Sequence, residues 1–141
     1  MVLLVSACLM GLPTRYDGTP AMADLRALAR KHTLVPVCPE QLGGLPTPRP
    51  PCEIMCGRVR TREGQDVTEA FALGASRALD VCRLCGCGAA VLKLRSPSCG
   101  KGKVYDGTFT GTLVPGDGVT AALLLSQGIP VYGEDEAALL D

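Results

Sequence analysis

Eight cysteines stand in a chain of 141 residues: Cys8, Cys38, Cys52, Cys56, Cys82, Cys85, Cys87 and Cys99. Thiolates are soft ligands and strong nucleophiles, so this many point to disulfides, bound metal or sulfur chemistry. The amino terminus chooses among these. Ser6-Ala7-Cys8 after a short apolar run has the outline of a lipoprotein processing site, yet no Lys or Arg precedes Cys8 and only Val2 to Val5 form the run. A secretory leader needs a basic start and an apolar stretch of ~7–15 residues. The segment instead reads as a buried strand, and a cytoplasmic protein is expected. In that compartment disulfides are rare, and clustered cysteines hold metal or react.

By their surroundings the cysteines form two sets. Cys8, Cys38 and Cys99 are far apart in sequence, each in a loop that follows an apolar run. The other five form C-x3-C (Cys52, Cys56) and C-x2-C-x-C (Cys82, Cys85, Cys87), short pairs of the kind that build structural zinc sites. Against that, Cys82 is expected on the inner face of a helix, with Cys85 and Cys87 crowding its glycine-rich end. Inert packing, a second metal site and a thiol-redox role at Cys85 and Cys87 are all readings of these five.

The elements that must position these side chains alternate between strand and helix. Val2–Val5 is the first strand. Pro20 to Lys31 predicts a helix, with Ala21, Leu25, Leu28 and Ala29 at helical spacing. Thr33 to Cys38 predicts a second strand, placed at a sheet edge or bulge by Pro36. Residues 39–57 are Pro- and Gly-rich and read as one long loop, a length that is usually functional inside a compact domain. Arg58 to Arg62 alternates as one arm of an exposed hairpin. Asp66-Val67-Thr68-Glu69 matches a capping box, opening a helix through Phe71, Ala75, Ala78, Leu79 and Cys82 that stops near Gly86. Ala89–Leu94 is a third strand, Val104 to Thr112 a short hairpin, Asp117 a cap for a helix over Val119 to Gln127, and Ile129–Tyr132 a last strand. This order predicts a single α/β domain over residues 1–141, with a mostly parallel open sheet flanked by helices, Rossmann-like, with small hairpin insertions.

On that layout Cys8, Cys38 and Cys99 each fall just beyond the carboxyl end of a parallel strand, the edge where open α/β sheets bind ligands. Glycines in Ser98-Cys99-Gly100-Lys101-Gly102 are expected to let backbone N–H groups turn toward an anion. Three thiolates admit two metal readings: zinc with an open fourth position, or a [4Fe–4S] cluster with one iron free to hold a substrate atom as a Lewis acid.

Ser6-Ala7-Cys8-Leu9-Met10-Gly11, Tyr16-Asp17-Gly18, Val37-Cys38-Pro39-Glu40, Gly44-Leu45-Pro46-Thr47-Pro48-Arg49, Asp66-Val67-Thr68 and Lys93 to Gly100 together resemble the thiouracil desulfidase family, in order and over nearly the whole chain. The resemblance implies a [4Fe–4S] cluster on Cys8, Cys38 and Cys99, with Glu40 and Ser96 serving catalysis. Implied too is a non-redox reaction, hydrolysis of the C–S bond of a thiolated pyrimidine to leave uracil and hydrosulfide, with substrate sulfur on the free iron and Glu40 taking a proton from the attacking water. Iron–sulfur assembly machinery would load the cluster. The alternative is a non-catalytic iron–sulfur or zinc protein, a carrier or sensor, which needs the thiols but neither Glu40 nor Ser96. The five remaining cysteines lie outside the family pattern.

Formal net charge is zero, with 14 basic residues scattered along the chain. A nucleic-acid duplex needs a concentrated basic face, and none is apparent. No apolar run approaches a membrane span. His32 follows the basic end of a helix, where the dipole accounts for it. Arg49 suits either an anchor for the long loop or a contact to an anionic substrate, and Asp17 reads as a turn residue.

Overall fold

Val2–Ser6 forms β1, whose Leu3, Leu4 and Val5 have no solvent exposure at all. The computed structural model describes residues 1–140. β1 pairs in parallel with β2 (Thr33–Val37) on one side and β5 (Cys87–Leu92) on the other, and β5 pairs with β8 (Val131–Gly133), giving the order β2-β1-β5-β8. Pro36 costs nothing here, because β2 is an edge strand. Strand alternation divides the core between two faces. Leu4, Ala90 and Leu92 meet Leu79, Ala121 and Leu124 from α3 (Thr68–Leu84) and α4 (Val119–Ser126). Leu3, Val5 and Val91 meet Leu9, Leu25 and Leu28 on the opposite face, which carries the short α1 (Arg26–Lys31). Each buried leucine contributes roughly 1.5–3 kcal/mol of transfer free energy.

Several local expectations are corrected. The first helix starts at Arg26, not Pro20, because the N–H groups of Ala21 and Ala23 donate instead to Cys8 O and Leu9 O, holding that segment beside the turn Ala7–Met10. The long loop is interrupted by α2 (Pro39–Leu42) and by β3 (Cys52–Met55), which is the hairpin partner of β4 (Arg58–Thr61). Cys56 and Gly57, both at positive φ, make the tight turn between those strands. The capping box is an Asx turn: Asp66 Oδ1 accepts from Thr68 N at 2.9 Å while Oδ2 pairs with Arg58. Asp117 likewise accepts from Gly102 N at 2.8 Å, leaving Gly118 at the helix cap. The second hairpin is β6 (Lys103–Tyr105) with β7 (Leu113–Pro115), close to expectation.

α2 and α3 touch backbone to backbone. A Cβ on Gly74 would sit 1.9 Å from Pro39 O, and one on Gly43 would sit 2.0 Å from Ala70 O. Only glycine at both places allows the helix that carries Glu40 to lie this close to α3.

Candidate active site

The chain steps from β1 out to β2 and then crosses to β5, so the sheet has its topological switch point between β1 and β5. Beyond the carboxyl ends of these strands lies a cleft of about 540 Å3, where open α/β sheets bind their ligands. Cys8, Cys38, Cys99, Glu40 and Ser96, the residues singled out in the sequence, all line it.

The thiols reach the cleft from different layers. Cys8 belongs to the core of one sheet face and Cys99 to that of the other, while Cys38 follows edge strand β2. Burial pushes the Cys99 thiol up to about 12, although the Ser6 and Ser98 hydroxyls favour its thiolate; charge on Glu40 and Cys8 adds to the rise. Burial raises Cys8 as well, opposed by Lys93 and reinforced by Cys38. Cys8 thus feels charge on Cys38, and Cys99 feels charge on Cys8. No three His, Cys, Asp or Glu side chains among the described residues stand close enough to share one metal ion. A [4Fe–4S] cubane distributes its thiolates over separate irons and needs wider spacing. Soft donors that meet in one cleft from three parts of the chain fit such a group, and loading it must displace the protons that burial holds on Cys8 and Cys99.

Glu40 is the centre of the polar network. Its Oε1 accepts from Arg49 Nε at 2.9 Å and its Oε2 from Ser98 Oγ at 3.0 Å. Both members of the ion pair are buried. The Arg49 guanidinium also donates to Thr14 O, Thr47 Oγ1 and Pro46 O, so it anchors the loop as well as the carboxylate. Ser96 does not touch Glu40. Its Oγ lies 3.0 Å from Ser98 Oγ and accepts from Ser98 N and Cys99 N. With Ser98 donating to the carboxylate, the hydroxyls line up as Ser96 to Ser98 to Glu40.

The glycine N–H groups near Cys99 are not free to turn toward an anion, contrary to expectation: Gly100 N is bonded to Ser96 O at 2.8 Å and Gly102 N to Asp117. Those bonds close the loop onto the start of α4, where Thr120 N donates to Ser98 O. Ser98, Ser6 and the Arg49–Glu40 pair carry more of the site than the sequence reading gave them. A lone serine ending the apolar strand β1 was the available signal for Ser6, whose Oγ accepts from Lys93 N and so ties β1 to the loop after β5.

The other five cysteines separate. Cys52 lines the cleft, its thiol pushed up to about 11 by burial with Glu40 adding to it. Cys56 lies in the hairpin turn and Cys82, Cys85 and Cys87 at the amino-terminal edge of β5, and none of these lines the cleft. All eight are free thiols. Cys87 is pushed up to about 11 by burial, the reverse of the lowered pKa that thiol transfer uses. His32 bonds the terminal amine and Leu140 O. No helix among the described residues is long and apolar enough to cross a membrane.

A family model described as 2-thiouracil desulfurase matches residues 3–136. "Uncharacterized protein YbbK" of Bacillus subtilis (strain 168) is 42% identical over 146 residues, covering 96% of this chain and 97% of the relative. The solved structure of a "[4Fe-4S]-dependent thiouracil desulfidase TudS" superposes with a TM-score of 0.91 at 46% identity, covering 98% of this chain and 95% of that one.

Proposed function

The chain belongs to the 2-thiouracil desulfurase family, and from that premise we propose that it is a thiouracil desulfidase that holds a [4Fe–4S] cluster on Cys8, Cys38 and Cys99. The observation that carries this reading is the meeting of those three thiols with a buried carboxylate in one cleft. Bound there, a cluster with three cysteine ligands supplies a Lewis acid for a soft thiocarbonyl sulfur. The protein supplies the rest. Glu40 is the base that takes a proton from water as the water attacks the ring carbon. Arg49 aims the carboxylate through its ion pair, and Ser98 holds its second oxygen. Ser96, at the open end of the hydroxyl row, holds the water or passes its proton along. Water gives its oxygen to the ring and its hydrogens leave with sulfur, so no electrons are exchanged. A cytoplasmic setting, with loading by iron–sulfur assembly machinery, suits thiols that must stay reduced.

A metal carrier or sensor would use the thiols but not Glu40. In a Glu40→Gln variant, we expect iron content and visible absorption to persist while thiouracil turnover, followed as sulfide release, falls by roughly 10²–10⁴. Full turnover in that variant would remove Glu40 from the chemistry.

A further inference from the structure

The cleft that holds the three cysteines is also lined by aromatic side chains to which the reaction gives no role. The chain has only three Tyr and two Phe and no Trp. Phe71 is core and Tyr132 lies under Lys101, whereas Tyr16, Tyr105 and Phe109 all line the cleft. A chain this poor in aromatics has placed most of them at one site. Phe109 is the most constrained of the three. It sits at φ 57, a left-handed conformation that a bulky residue rarely adopts and that persists only where its surroundings enforce it.

Those surroundings can be named. Glu53 extends from β3, and its Oε1 accepts from both Gly107 N at 3.0 Å and Phe109 N at 3.1 Å. Gly107, at φ +95, packs so closely that a Cβ there would lie 2.5 Å from Met55 Cβ. The tip of the β6–β7 hairpin is thus clamped to the β3–β4 hairpin. Arg62, also in the cleft wall, places its guanidinium 5.7 Å from the Phe109 ring centroid. A side chain held in an unfavourable backbone conformation, half-buried in the wall of a binding cleft, is set to meet something flat.

We propose that Phe109 is the platform on which the pyrimidine ring stacks, and that Glu53 is the positioning residue that holds it there. This deepens the desulfidase reading and rests on it for the identity of the ring. Stacking is indifferent to which base is presented, because each has a π-face, and is worth enough to dominate the binding of a small ring. The platform therefore selects for planarity: an aromatic thiopyrimidine lies flat on Phe109, while its 5,6-dihydro analogue, puckered and without a π-system across the ring, does not.

The test uses cluster-loaded protein and two readouts. In equilibrium dialysis with labelled uracil, Phe109→Leu should retain roughly tenfold to hundredfold less than wild type, the size of one base–aromatic stack, while Phe109→Tyr stays within about threefold of wild type. Glu53→Ala should weaken uracil in the same direction. In turnover, Phe109→Leu should raise KM for 2-thiouracil with kcat little changed, and leave the values for 5,6-dihydro-2-thiouracil nearly as in wild type. Equal retention of uracil by wild type and Phe109→Leu, including no retention by either, overturns the platform. So does an equal loss for the planar and puckered substrates. Failure of wild type to release sulfide from thiouracil would instead strike the desulfidase reading, and the uracil comparison would still decide the platform.

Discussion

At the residue scale the site turns on one carboxylate. Glu40 is buried with a guanidinium on one oxygen and a serine hydroxyl on the other. Removing one partner of a buried pair strands the other charge, which typically costs about 3–5 kcal/mol. Arg49→Met should therefore lower the unfolding free energy of the cluster-free protein by roughly that amount in urea, and Glu40→Gln/Arg49→Met should recover much of it. Equal instability of the single and double variants would contradict a shared role. Ser98→Ala should cut turnover by roughly a hundredfold with iron retained, and should add little once Glu40 is already Gln, because the two act as a unit. In the sequence the family resemblance alone pointed to Glu40 and Ser96; residue spacing by itself gave no reason to prefer Ser96 to Ser98, since both flank Pro97 in the same turn. Only the fold, which brings residue 98 beside residue 40, separates the hydroxyl on the carboxylate from the one at its open end. Arg49 was left between two roles for the same reason: its partner lies across a loop whose path periodicity does not reveal.

At the element scale, hydrophobic spacing located β1, β2, β5 and the body of α3, because burial on a sheet or helix face leaves a regular imprint. It missed α2, a single turn too short for periodicity, although α2 carries Glu40. It also extended α1 upstream through Ala21, whose apolar side chain is partly buried from an irregular segment and not from a helix. The contact between α2 and α3 gives a direct test. Gly74→Ala must push Pro39 away or lose the close approach, an overpacking cost of about 1–3 kcal/mol. We expect a lower denaturation midpoint and a loss of turnover larger than stability alone explains, because Glu40 moves with α2; unchanged turnover would show that α3 does not set its position. At the start of α3, Thr68 and Arg58 hold Asp66 at about 2. A carboxyl lowered in the folded state stabilises it above the ordinary value near 4 and loses that contribution as pH falls toward 2. The stability gap between wild type and Asp66→Ala, measured by urea denaturation across this range, should therefore narrow on acidification. A gap that widened would reverse the assignment.

At the scale of the whole molecule, the strand order β2-β1-β5-β8 explains why cysteines so far apart in sequence line one cleft. Parallel strands share a carboxyl edge, so loops after β1, β2 and β5 must converge, and that much was legible from alternation alone. The two hairpins were legible as patterns, but β3 as the partner of β4 and the clamp between the hairpins were not, because these depend on a tight turn and on Glu53 reaching across. Nor did spacing alone reveal that Cys52 joins the cleft wall while Cys82, Cys85 and Cys87 gather at the opposite edge. The central claim is that Cys8, Cys38 and Cys99, and not the other five thiols, hold the cluster. The most direct measurement is iron and acid-labile sulfide in anaerobically reconstituted protein, compared with single Cys→Ala variants. We expect a full cubane, about four iron and four sulfide per chain, in wild type and in Cys85→Ala, and its loss in Cys8→Ala, Cys38→Ala and Cys99→Ala. A cluster that survives those three replacements, or fails only when Cys85 is removed, would contradict it.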